Sequence, residues 1–231
     1  MMRIDGLQKM TLLDFPGKVA CTVFTGGCNF RCPFCHNALL VTELPQKPDY
    51  TVDEILGFLK KRQGLLDGVA ITGGEPLMNP EIDSFIREIR KLGYSVKLDT
   101  NGSFPERLEK IVNDGLIDYV AMDIKNCKKK YAETVGLSSF DLSKVERSVD
   151  FLKNGSVDYE FRTTVVREFH TVEDIRKAAE WISGAKRYFL QNFVDSGNLI
   201  DPSVGGADKE TMFRMKEAAA DFVPQTEIRG I

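Results

Sequence analysis

The chain has 231 residues, 42% of them hydrophobic and 28% charged, an ordinary globular balance that excludes bulk disorder, collagen and coiled coil. Thirty-one Lys and Arg against 34 Asp and Glu leave a net charge of −3, so no basic surplus exists to neutralise a phosphate backbone, and no nucleic-acid partner is expected. No apolar run approaches the roughly 20 residues of a membrane helix, and the start Met1-Met2-Arg3-Ile4-Asp5-Gly6 lacks a signal peptide's apolar core. A cytoplasmic protein with no membrane partner is expected.

One rhythm repeats along the chain. Residues 19–25 are β-rich and end in Gly26-Gly27. Residues 51–62 carry Val52, Ile55, Leu56 and Leu59 at helical spacing, with Thr51 as a cap. The apolar run 68–72 reads as a strand ending in Gly73-Gly74. Residues 80–92 place Ile82, Phe85, Ile86 and Ile89 on one helical face. A strand follows at 94–99, a helix at 105–113, and a strand at 118–124 whose lack of alternation suits burial on both faces. Helix 141–152, strand 158–166, helix 172–182, strand 187–191 and helix 209–222 complete the series. Six strand-then-helix units predict an α/β fold with a parallel sheet. An open doubly wound sheet and a barrel both fit, and six units fall short of a closed eight-stranded barrel. With no linker or low-complexity tract, residues 1–231 read as a single domain. Its core spans about 18–193, and 194–231 form a C-terminal extension with one helix.

In either architecture the functional side chains belong at the carboxyl ends of the strands. Those positions are chemically dense. The first strand runs into Gly26-Gly27-Cys28-Asn29-Phe30-Arg31-Cys32-Pro33-Phe34-Cys35, and the second into Gly73-Gly74-Glu75-Pro76. The later ones end in Asp99-Thr100-Asn101-Gly102, in Asp123-Ile124-Lys125, in Arg162 then Arg167, and in Gln191-Asn192.

Five cysteines without a secretory signal argue against a disulfide framework. Cys28, Cys32 and Cys35 fall within eight residues, so three thiolates from one loop can face a single centre. Soft thiolates favour zinc or iron–sulfur. A closed zinc site takes four ligands, usually as two pairs, and this chain has no second pair. Three thiolates on a cubane cluster leave one iron open for a substrate or cofactor. The competing readings are a zinc knuckle or three unrelated buried cysteines. Cys21 lies mid-strand and reads as core, and Cys127 has no assigned role.

Cys28-x₃-Cys32-x-Phe34-Cys35, with an aromatic residue before the third cysteine, resembles the signature of radical S-adenosylmethionine (SAM) enzymes. Gly73-Gly74-Glu75-Pro76 resembles that superfamily's second motif. The resemblance implies a partial (β/α)₆ barrel of parallel strands with its active site at their carboxyl ends. Thr11-Leu12-Leu13-Asp14-Phe15-Pro16-Gly17-Lys18, Cys35-His36-Asn37, Asp99-Thr100-Asn101-Gly102 and Met122-Asp123-Ile124-Lys125 are similar to the glycyl-radical-enzyme activases. The first segment is most similar to activating proteins of the anaerobic ribonucleoside-triphosphate reductase. The six retained units are like the pyruvate formate-lyase activating enzyme. The resemblance runs from about Lys9 to Asn192.

What this implies is an oxidoreductase with a 4Fe–4S cluster on Cys28, Cys32 and Cys35. SAM would be bound by Phe34, Gly73, Gly74, Glu75, Asp99, Asn101, Asp123, Lys125 and Gln191. Asp99, Thr100 and Asp123 match positions that bind a monovalent cation in the pyruvate formate-lyase activase. No acid or base is required of the protein beyond the cluster ligands, which suits a chain with only two histidines. The implied partners are a glycyl-radical enzyme, above all the anaerobic ribonucleoside-triphosphate reductase, and a flavodoxin- or ferredoxin-type electron donor. His36 reads as a loop histidine beside the cluster. Arg162 and Arg167 read equally as partners of a ligand carboxylate or as surface ion pairs. A peptide groove is expected beside Gly26-Gly27 and residues 191–198, with a mobile rim after Gly197. The rival readings are a radical enzyme acting on a small molecule, such as a 7-carboxy-7-deazaguanine synthase, and an electron carrier or zinc protein.

Overall fold

A computed structural model of the chain describes residues 2–195 and 197–231. Its strands are β1 (Ile4–Thr11), β2 (Ala20–Thr25), β3 (Gly68–Gly73), β4 (Ser95–Thr100), β5 (Tyr119–Asp123), β6 (Asp158–Val165), β7 (Tyr188–Asn192) and β8 (Thr226–Arg229). In the sheet the strands follow chain order, from β1 to β8. β1 runs antiparallel to β2, whereas β2–β3, β3–β4, β6–β7 and β7–β8 are parallel. Parallel neighbours need a long crossover, and helices fill most of those crossovers. The helices are α1 (Leu39–Thr42), α2 (Val52–Lys60), α3 (Ile82–Lys91), α4 (Pro105–Asn113), α5 (Tyr131–Thr134), α6 (Ser143–Asn154), α7 (Val172–Trp181) and α8 (Lys209–Ala220). The expected α/β architecture with a mostly parallel sheet is the observed one.

Local chemistry sets the helix boundaries. Thr51 and Glu54 form a reciprocal capping box at α2, and Thr171 with Asp174 forms another at α7. Pro105 opens α4, where its missing N–H costs nothing. Asp208 caps α8 through the Thr211 N–H.

Six strands stand where the sequence places them, and β1 and β8 are additions. β1 reads IDGLQKMT, with Gly6 and polar Gln8 and Lys9 in place of an apolar period, and its pairing is interrupted by register shifts. β8 has only four residues. Both are edge strands with one neighbour, so neither needs the two-sided burial that makes a central strand legible.

The chain divides into two compact units. One comprises Met1–Asn29, Leu39–Thr100 and Phe104–Val120; the other comprises Phe30–Ala38, Asn101–Ser103 and Ala121–Ile231. In the first, α3 buries Ile82, Phe85, Ile86 and Ile89, each worth about 1.5–3 kcal/mol of transfer free energy. Val69, Ile71, Val96 and Leu98 supply the sheet side of that core. In the second, Phe161, Tyr188 and Leu190 from β6 and β7 are fully buried, as are Ile175, Ala178, Met212 and Met215 from α7 and α8.

Candidate functional site

In the first unit, the motif after β3 is built on close backbone approach. Gly73 has φ +114°, and a Cβ on it would lie 2.3 Å from the Thr25 carbonyl oxygen. A Cβ on Gly74 would lie 1.9 Å from the Gly27 carbonyl oxygen. With no side chains in the way, Gly74 N–H donates to Thr25 O and Glu75 N–H to Gly27 O, both at 2.8 Å. The glycine pair thus clamps the end of β2 where the cysteine loop begins.

Glu75 is fully buried. Its Oε1 accepts from the Leu77 N–H at 3.1 Å and from Thr100 Oγ1 at 2.8 Å. The Glu75 carboxylate therefore holds its own loop and the end of β4 in place. Asp99 is half-buried and ion-paired with the buried Lys97. Cys28, the first thiol, is half-buried.

The second unit holds the other two thiols. Cys32 is buried and Cys35 half-buried. Burial raises the Cys35 thiol pKa, opposed by a backbone hydrogen bond at Asn37 and by the charge of Lys125. A soft metal centre would displace that proton. Phe34 lies between Cys32 and Cys35 in the chain, and its buried ring packs against Phe169 at 5.8 Å and His170 at 6.3 Å between centroids.

The end of β5 carries the main electrostatic feature. Asp123 accepts from Lys125 Nζ at 2.9 Å and from Arg162 Nε at 3.1 Å. Asp123 is the last residue of β5, Lys125 lies in the turn that follows it, and β6 delivers Arg162. Burial alone would raise the Asp123 pKa, but Lys125 and Arg162 hold it down to about 2. Burial disfavours the Lys125 ammonium, yet Asp123 and then the Cys32 thiol raise its pKa on balance. Asp123 thus gathers two cationic side chains, Lys125 and Arg162, at the end of β5.

The other sequence candidates in this unit differ in setting. Asn101 is buried, and its Oδ1 accepts from Ser103 N and Oγ in a tight turn. Gln191 is half-buried near the end of β7, in register with Thr164 and Arg229. Arg167, unlike Arg162, is exposed and paired with Glu168. His36 stacks on Phe193 at 5.0 Å and 5°, and its Nε2 lies 2.9 Å from the Val194 carbonyl. Burial lowers the His36 pKa, opposed by that carbonyl. Asp201 N–H reaches the Pro33 carbonyl at 2.9 Å, and Arg167 N–H the Gly205 carbonyl at 2.9 Å. The segment expected to be a mobile rim is thus hydrogen-bonded to the cysteine loop and to the turn after β6; Ser196 lies outside the described residues. Phe169, His170 and Asn126 were not singled out by the sequence, although the first two lie in the turn that follows a strand.

Three soft thiols on one loop fit an iron–sulfur cluster. Among the described residues, no three His, Cys, Asp or Glu side chains converge on one metal ion. Ligands of a cubane stand on different irons and need no such convergence. Among the described residues, no helix is long and apolar enough to cross a membrane.

Residues 22–182 match the Radical SAM superfamily. A Methanocaldococcus jannaschii protein, provisionally named a glycyl-radical enzyme activating enzyme, is 34% identical over 197 residues, covering 82% of this chain and 79% of that protein. The pyruvate formate-lyase-activating enzyme of Clostridium pasteurianum is 31% identical over 201 residues, covering 80% and 78%. A 7-carboxy-7-deazaguanine synthase of Methanopyrus kandleri is 33% identical over 131 residues, but covers only 48% of this chain and 51% of that one. Among solved structures, Streptococcus suis SuiB bound to S-adenosylmethionine superposes with a TM-score of 0.68 at 16% identity, covering 88% of this chain and 48% of that one. With its three-cysteine loop, its glycine-glycine-glutamate clamp and a family match across most of its length, this chain belongs to the radical SAM superfamily.

Proposed function

We propose that the chain is an activating enzyme that generates a glycyl radical on an anaerobic ribonucleoside-triphosphate reductase. The observation that carries the reading is the joint presence of the cysteine loop, the Gly73–Glu75 clamp and the Asp123–Lys125–Arg162 cluster in a chain whose broadly matching relatives bear activase names. The deazaguanine-synthase match covers about half the chain.

Cys28, Cys32 and Cys35 would hold a 4Fe–4S cluster. When bound, the cluster and SAM supply the radical chemistry that removes a hydrogen atom from a glycine Cα of the partner. The chain's own residues bind and orient. Lys125 and Arg162 offer cationic donors to the methionyl carboxylate, and Asp123 keeps both from swinging out to solvent. Gly73, Gly74, Glu75, Asp99, Asn101 and Gln191 complete the proposed SAM contacts, and Phe34 gives an apolar wall that excludes water beside the thiols. No proton transfer is asked of any side chain. The reading includes a monovalent cation at Asp99, Thr100 and Asp123, the positions that match the pyruvate formate-lyase activase. The reading includes a single functional domain, a cytoplasmic setting and a flavodoxin- or ferredoxin-type electron donor.

Anaerobic incubation with the reductase, reductant and SAM is expected to produce a glycyl-radical doublet in electron paramagnetic resonance. If neither this reductase nor another glycyl-radical enzyme of the same cell gains the signal while a small molecule is turned over, the reading fails.

A further inference from the structure

The turn after β6 is stitched to the end of β5 by buried polar contacts. His170 is 3% exposed. Its Nε2 lies 2.8 Å from the Lys125 carbonyl, and its Nδ1 lies 3.1 Å from both the N–H and the carbonyl oxygen of Val166. An N–H donating to Nδ1 leaves the ring proton on Nε2, where it donates to the Lys125 carbonyl. One neutral tautomer thus satisfies both bonds. Burial lowers the imidazole pKa, which favours that neutral form; Asp174 and Lys130 are the charged groups that act on it, in opposite senses. One residue further along the chain, in the segment after β5, Asn126 Nδ2 donates to the Phe169 carbonyl at 3.0 Å and to Thr134 Oγ1 at 2.8 Å. Both rings of the turn, Phe169 and His170, then pack against Phe34.

This geometry is more specific than a packed core requires. A buried histidine needs only satisfied nitrogens. Here one of them holds the backbone of Lys125, whose ammonium contacts Asp123, and the ring bears on the aromatic residue that lies between Cys32 and Cys35 in the chain. We propose that His170 is a positioning residue of the SAM site, fixing the backbone of Lys125 and, with Phe169, the ring of Phe34. The proposal rests on the reading that Lys125 and Phe34 contact SAM.

The test compares reconstituted wild type, His170→Ala, His170→Gln and His170→Asn by iron content, thermal midpoint, calorimetric SAM affinity and the change SAM makes in the spectrum of the reduced cluster. Wild type binds SAM and keeps its iron. His170→Ala is expected to keep its iron and lose about five- to tenfold in SAM affinity, the scale of one lost hydrogen bond, with a weakened SAM-induced spectral change. Gln carries an amide N–H that reaches the Lys125 carbonyl and is expected to recover to within about threefold. Asn is too short and should not recover. A folded Ala variant with wild-type affinity overturns the proposal. If the Ala variant does not fold, equal affinities for Gln and Asn overturn it. Wild type failing to bind SAM overturns the cofactor reading and the proposal with it.

Discussion

A Cβ on Gly74 would sit 1.9 Å from the carbonyl oxygen of Gly27, the same oxygen that accepts the Glu75 N–H at 2.8 Å. The start of the cysteine loop and the glycine-glycine-glutamate turn are therefore joined by direct backbone contact. Gly74→Ala is expected to push β3 away from the loop. Overpacking of this kind costs about 1–3 kcal/mol, and the displaced loop should take up less iron. Urea unfolding and iron analysis check this; unchanged stability with full iron content would show that the two segments move independently.

The cysteines separate into two classes. Cys28→Ala, Cys32→Ala and Cys35→Ala should each remove a ligand and abolish the brown anaerobic absorbance, because three ligands leave no spare. Cys21 lies inside β2, its pKa pushed up to about 12 by burial, opposed by a backbone hydrogen bond. Cys127 is buried with Sγ 3.7 Å from Asp174. Neither should matter to the cluster. Loss of iron in Cys127→Ala would contradict the three-ligand loop.

Glu75→Ala should act twice. It strips acceptors from the buried Leu77 N–H and the Thr100 hydroxyl, which costs about 1–3 kcal/mol and lowers Tm by several degrees. It also disturbs SAM binding, which calorimetry measures. Iron content should survive, since no cluster ligand is altered. A Glu75→Gln variant keeps an oxygen acceptor and should recover part of the stability. If Glu75→Ala unfolds no more easily than wild type, Glu75 does not hold its loop and the end of β4 in place.

Stability should fall with acid in two windows. His170 has a folded pKa below its ordinary 6.5, with burial as the cause. As pH drops below 6.5 the unfolded chain takes up the proton first, so this contribution is complete above 6.5 and is lost going down to the folded value. The slope is at most about 1.4 kcal/mol per pH unit for one proton. Asp123 is held at about 2 against an ordinary 3.8; burial opposes this, and Lys125 and Arg162 cause it. Its contribution is complete above 3.8 and is lost between there and about 2. Urea midpoints at pH 7.5 and 5.5 should therefore converge in His170→Gln relative to wild type. Parallel behaviour of the two proteins would remove His170 from the acid response.

The central strands and their helices were legible because they are buried on two faces or on one helical stripe. Val120-Ala121-Met122 in β5 and Ile82, Phe85, Ile86 and Ile89 in α3 announce themselves by apolar spacing alone. β1 escaped because an edge strand paired on one side tolerates Gln8 and Lys9 on its outer surface. Cys28, Cys32, Cys35 and the Gly73–Glu75 turn were visible because their chemistry is local: ligands on one loop and a turn of four residues need no distant partner to be recognised.

Distant partnerships are what the amino-acid order leaves open. Arg162 and Arg167 looked equivalent as a string, yet strand position delivers the first to Asp123 and leaves the second to Glu168. His36 joins a stack with Phe193, and His170 joins Lys125, across separations that no spacing rule covers. By itself the sequence determined the strand–helix rhythm, the thiol loop and the superfamily, since each depends on residues close together in the chain. Only the tertiary structure decided which cation faces Asp123, why Gly74 has no side chain and what holds Lys125, because those depend on hydrogen bonds and van der Waals contacts between segments that the fold alone brings within 3–4 Å of each other.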